Sequence, residues 1–118
     1  MDITDVMGGL AVSDLDAARR WYTTFFGRGP DLEPMPGLTE WHTTGGTVQL
    51  VLDAERAGGS MVTFQVPDAR GTLAGLAERG GPVVELDDGT SDKVRFATVT
   101  DPDGNALTLV DVRPGVEL

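Results

Sequence analysis

A chain of 118 residues, 40% hydrophobic and 24% charged, has the length and composition of one globular domain, which excludes a multidomain enzyme. Nineteen Asp and Glu against nine Lys and Arg leave a net charge of −10; a surface of that sign repels phosphate backbones and anionic lipid, so neither nucleic acid nor a membrane is an expected partner. The lack of cysteine removes disulfides, thiolate nucleophiles and sulfur-ligated metals, and Met1-Asp2-Ile3-Thr4-Asp5 has no basic start or apolar run, so a cytoplasmic protein is expected.

From Met7 the chain alternates for about six residues, the period of a strand with one buried face, and Leu10 and Val12 share that face. Ser13 with Asp16 three residues on has the form of a capping box. Leu15, Ala18, Tyr22 and Phe25 then recur at helical spacing, and Gly27 suits a left-handed exit. A weak strand is expected around Asp31 to Met35, then strands over Glu40 to Thr44 and Thr47 to Asp53, the last two joined by Gly45-Gly46, a two-residue hairpin signal. The second half opens with Val62, Phe64 and Val66 on one face of a strand. Asp68 caps a helix whose stripe is Ala69, Leu73, Leu76 and Ala77 and which ends at Gly80. Gly71 and Gly75 weaken that helix by up to about 1 kcal/mol each, so packing must hold it. Three further strands are expected at Pro82 to Leu86, Val94 to Thr100 and Ala106 to Val112, the last pair joined by Asp101-Pro102-Asp103-Gly104-Asn105.

The two halves are copies. Met7 and Met61, Asp14 and Asp68, and Gly27 and Gly81 are each 54 residues apart. The expected architecture is an α+β domain of two tandem βαβββ modules, residues 1–56 and 57–118. One helix covers one face of each sheet and leaves the other face concave and open to a ligand or partner. By alternation that open face carries Met7, Gly9, Ala11, Gln49 and Val51 in the first module, and Met61, Thr63, Gln65, Thr108 and Val110 in the second.

The duplicated unit, the Val12-Ser13-Asp14-Leu15 entry into the first helix, the Trp21-Tyr22 pair followed by Phe26-Gly27, and the final Asp-Pro-Asp-Gly-Asn hairpin together resemble the vicinal oxygen chelate superfamily. This is the family of glyoxalase I, bleomycin resistance protein and extradiol dioxygenase. The resemblance spans nearly the whole chain and implies half-barrel mixed sheets, usually with a homodimer completing two clefts. Metal-dependent members hold an ion with His, Glu or Gln from the first and last strand of each module. Those four positions fall here on Met7, Gln49, Met61 and Thr108. Two thioethers, an amide and a hydroxyl offer no charge to a divalent ion, so no metal and no other cofactor is expected.

His42 is the only side chain whose ordinary pKa lies near neutrality, and alternation puts it on one face with Glu40. The pair is the candidate for acid–base chemistry, and His42 equally a half-exposed strand residue. Trp41 is a candidate stacking wall for a planar ligand or a core residue, and Phe96 lines the cavity or packs under the helix. Met7 and Met61 offer flexible apolar surface or plug a redundant metal hole. The Asp101–Asn105 hairpin reads as a turn, since its Gly comes too early and no Glu follows for a calcium loop. The expected function is capture of an apolar or aromatic small molecule by Met7, Trp41, His42, Gln49, Met61, Thr63, Gln65, Phe96 and Thr108. A metal-free isomerase, lyase or cyclase using His42 is the alternative.

Overall fold

A computed structural model describes residues 1–117; Leu118, the last residue of the expected second module, lies outside them. Alternation makes Met7–Val12 strand β1, with Leu10 and Val12 buried and Met7 and Gly9 exposed on the opposite face. Helix α1, Leu15–Phe26, begins at Asp14, whose side chain accepts from the Ala17 N–H at 3.0 Å, and closes on Gly27 with φ of 76°. Ser13 is therefore not the cap. Its N–H and hydroxyl are turned to Asp103 in the other module, at 3.0 and 2.6 Å.

Strands β2 (Leu32–Met35), β3 (Leu38–His42) and β4 (Thr47–Leu52) complete the first sheet in the order β1-β4-β3-β2, with β1 parallel to β4 and the other pairs antiparallel. The expected Gly45-Gly46 two-residue turn is replaced by a four-residue loop closed by Thr43 N–H to the Gly46 carbonyl at 2.8 Å. No residue of that loop has positive φ, which the tight hairpin turns require. Strand β3 accordingly stops at His42.

In the second half β5 (Met61–Gln65) leads to α2 (Ala69–Glu78), capped by Asp68 as expected, and then to β6 (Val94–Thr100) and β7 (Ala106–Val112). Their order is β5-β7-β6, with β5 parallel to β7. The strand expected over Pro82 to Leu86 is reduced to one bridge, in which Asp87 and Phe96 exchange backbone hydrogen bonds of 2.8 and 3.1 Å. Pro82 has no N–H to give a ladder, and Val83 points into solvent with nothing to pack on. The two mixed sheets thus have four and three strands.

Both modules share one core. Leu10, Val12, Tyr22, Trp41 and Leu50 meet Leu76, Val99 and Leu107, all essentially inaccessible, and each such side chain contributes about 1.5–3 kcal/mol by burial. Phe25 and Phe26 reach across to Phe64 at ring separations of 5.9 and 5.8 Å. The sheets share no backbone ladder among the described residues. A polar clasp joins them where β1 passes β5. Asn105, fully buried, donates to the Ala11 carbonyl at 2.7 Å and to Asp101 at 2.8 Å, and accepts from the Ser60 N–H at 2.9 Å. The Ser60 hydroxyl accepts from the Ala11 N–H at 3.1 Å. Gly58 adopts φ of 90° against the Asp103 carbonyl, where a Cβ would collide with that oxygen. The Asp101–Asn105 hairpin is more than a turn: it ties the copies together. No helix among the described residues is long and apolar enough to cross a membrane.

Candidate functional site

Cross-strand pairing assembles the open face of the first sheet. Gln49 in β4 lies between Gly9 of β1 and Glu40 of β3, and His42 lies beside Thr47. The side chains form a chain of contacts. The Gln49 amide donates to Glu40 Oε2 at 2.7 Å and stands 3.5 Å from Met7 Sδ, while His42 Nε2 is 3.1 Å from Glu40 Oε1. Glu40 is only 6% exposed, and the Gln49 and His42 hydrogen bonds hold its carboxyl below the usual glutamate range. The backbone beneath His42 is braced: its N–H donates to Asp31 at 2.7 Å, and the Arg28 guanidinium donates to its carbonyl and to Asp31. Those donors, the His42 N–H first and Arg28 second, keep the Asp31 carboxyl low as well. The imidazole itself remains half exposed.

The second sheet contributes Met61, Thr63 and Gln65 from β5, Thr108 and Val110 from β7, and Phe96 and Thr98 from β6, aligned by the pairs Thr63 with Thr108, Phe96 with Val110 and Thr98 with Thr108. Phe96 therefore stands on the open face and not under the helix. The Thr98 and Thr108 hydroxyls are 2.9 Å apart. Met7 and Met61, on the neighbouring edges of the two sheets, are 55% and 80% exposed.

Trp41 does not belong to this face. Register pairs it with Val48 on the helix side, where it is 0% exposed, packs 5.2 Å from the Phe26 ring and donates Nε1–H to the Arg28 carbonyl at 3.0 Å. Leu52, expected on the helix side, is half exposed at the end of β4. Thr98 and the Arg28–Asp31 brace escaped the sequence reading. Alternation of β6 against Thr108 was the signal for Thr98, whereas the brace joins a loop to a strand with no periodic trace.

Concavities open elsewhere among the described residues. One, of about 650 Å³, runs from Gly9, Ala11 and Val51 to Asp53, Arg56 and Ser60 in the segment linking the modules. Another, of about 920 Å³, lies between α1, α2 and β5 and is lined chiefly by Phe25, Phe26, Phe64 and Leu76, with Thr63 and Gln65 on its wall. Met7, Gln49, Met61 and Thr108 lie in neither; they occupy an open face.

Met7 Sδ and the Gln49 amide already contact one another, and Thr108 is paired with Thr98, so this set supplies no anionic or imidazole donor. It does not fit a catalytic divalent ion. Among the described residues no three His, Cys, Asp or Glu gather where they could hold a metal.

Residues 3–109 match the family model of the Glyoxalase/Bleomycin resistance protein/Dioxygenase superfamily, and the chain belongs to that superfamily. It is similar to the glyoxalase/bleomycin resistance protein of Catenulispora acidiphila DSM 44928, with 31% identity, a TM-score of 0.83, and coverage of 92% of this chain and 97% of that one. It is also similar to TnmS3, an antibiotic binding protein from Streptomyces sp. CB03234, with 25% identity, a TM-score of 0.72, and coverage of 95% and 98%. The fold, at 14% identity and a TM-score of 0.73 over 92% and 96% of the two chains, is that of the bleomycin-binding protein of Streptomyces verticillus complexed with copper(II)-bleomycin. No curated protein matches the chain.

Proposed function

We propose that this protein captures an apolar or aromatic small molecule on its concave face, without a metal, in clefts completed by a second copy of the chain. The observation that carries the reading is the neutral, partly apolar surface at the family's metal-binding positions. Met7 and Met61 offer adaptable apolar area, and Gln49, Thr63, Gln65 and Thr108 offer amide and hydroxyl groups to orient a ligand. Two exposed methionines on adjacent sheet edges are also the kind of patch a subunit contact covers. The antibiotic-binding activity named for TnmS3, at 25% identity over almost the whole of both chains, supports a binding role. Thermal-shift screening against hydrophobic natural products is the test. A ligand that raises the melting temperature in proportion to the logarithm of its concentration supports the reading. A face filled by the protein's own side chains in the dimer, with no stabilising compound, overturns it.

The His42–Glu40 contact favours a second reading, a metal-free isomerase, lyase or cyclase. With Nε2–H given to Glu40, the imidazole keeps a lone pair on Nδ1, which takes a proton from substrate while Glu40 stabilises the imidazolium formed. His42→Ala then abolishes turnover and leaves binding intact; turnover that survives the change removes this reading.

A further inference from the structure

Three carboxylate side chains are buried among the described residues, and two are fully compensated. Asp111 is clamped by the Arg95 guanidinium at 2.8 and 3.1 Å and takes the Ala69 N–H at 2.7 Å. Asp101 accepts from the Tyr22 hydroxyl, the Asn105 amide and the N–H groups of Asp103, Gly104 and Asn105. The third, Glu40, has only two side-chain partners, the Gln49 amide and the His42 imidazole, and among the described residues no Lys or Arg pairs with it. A carboxylate has about four acceptor positions, and a buried charge left without a counter-charge is costly.

Its setting makes the imbalance directional. Every charged strand residue other than Glu40 is engaged on the helix side: Glu33 with Arg19 of α1, and Arg95 with Asp111 at the start of α2. The open faces of both sheets otherwise carry Met, Thr, Gln, Val, Leu, Ala, Phe and His42. Among the described residues Glu40 is the single carboxylate on the open-face side of the strands, and its burial strengthens its attraction for an opposite charge. We propose that Glu40 is the anchor for a protonated nitrogen on the ligand, so that the molecules this face selects are amphipathic or aromatic compounds bearing an ammonium or amidinium group. The inference rests on the concave face being the ligand site and adds the chemical class. Gln49 and His42 orient the carboxylate; the cation takes its remaining acceptor positions and supplies the charge that no Lys or Arg provides.

Calorimetric titration with two planar probes of similar shape tests it: 9-aminoacridine, a cation at pH 7.5, and acridine, neutral at that pH. The wild-type protein is expected to bind the cation at least tenfold more tightly. Glu40→Gln keeps the side chain's size and its ability to hydrogen-bond both neighbours; it is expected to weaken 9-aminoacridine about tenfold and leave acridine within about twofold. Glu85→Gln, an exposed site in the segment before the Asp87 bridge, removes the same charge and is expected to change neither. Equal affinity of the wild type for the two probes overturns the inference and leaves the binding function standing, and this comparison holds whatever the folding of the variant. Equal loss in the Glu40→Gln and Glu85→Gln proteins also overturns it, because the preference then belongs to net charge. Binding of neither probe to the wild type overturns both the anchor and the proposed capture of aromatic compounds.

Discussion

Tyr22 and Asp101, 79 residues apart in the chain, meet in the buried junction of the two modules through a hydrogen bond of 2.7 Å from the phenol to the carboxylate. Burial, then the Asp101 bond and its negative charge, push the Tyr22 phenol far above its ordinary value of 10.0. Since the native pKa is raised, the stability linked to Tyr22 is complete below pH 10 and is lost as the pH climbs beyond it. Tyr22 is the only tyrosine, so absorbance at 295 nm reports this residue alone. Tyrosinate is expected to appear together with loss of far-ultraviolet ellipticity. Ionisation near pH 10 in a fully folded protein contradicts the buried bond.

Asn105→Ala strips three hydrogen bonds from the clasp and leaves the Ala11 carbonyl and the Ser60 N–H without partners. The expected cost is about 3 kcal/mol, from a buried donor and acceptor at roughly 1–3 kcal/mol each. Urea unfolding measures it. A change below about 1 kcal/mol means that the clasp does not hold the modules.

Trp41→Phe is expected to lower stability by about 2 kcal/mol, through the lost Nε1 bond to Arg28 and a partly filled hole beside Phe26. Affinity for any ligand of the concave face stays within about twofold, because the indole is on the other side of the sheet. Denaturant midpoints and ligand titration of the same variant separate the two effects; a large loss of affinity at unchanged stability restores Trp41 to the site.

The wild-type protein is expected to take up no stoichiometric Ni, Zn, Mn or Fe. A Met7→His, Met61→His, Thr108→Glu variant, with Gln49 kept, supplies imidazole and carboxylate donors and gains binding of about one ion per site, read by metal analysis after gel filtration. Tight binding by the wild type sinks the metal-free reading.

The fold was legible because its determinants are periodic. Leu10 and Val12 against Met7 and Gly9, and the 54-residue spacing of Asp14 and Asp68, identify strands and duplication directly, and Asp68 was legible as a cap. The errors fall where a local rule met a competing partner. Ser13 has the form of a cap, but Asp103, 90 residues away, claims both of its donors. Trp41 alternates with Glu40 as a strand residue should, yet which of the two faces inward depends on the β3–β4 register, and the longer Thr43–Gly46 loop obscured it. Glu40 and His42 were visible as a pair on one strand. The Gln49 bond that completes the chain to Met7 required the sheet itself. The clasp was read as a turn for the same reason: its partners Ala11, Ser13, Tyr22 and Ser60 are remote in sequence.

Because the halves are joined by the Asp101–Asn105 hairpin and a shared core and not by a continuous ladder, the angle between the sheets is set by side-chain contacts and not by strand pairing. Substitutions at that seam are expected to alter the width of the opening while every strand keeps its register, and substitutions among the lining residues to change chemistry without disturbing the seam. A scaffold partitioned in this way separates the geometry of the opening from the chemistry of its lining.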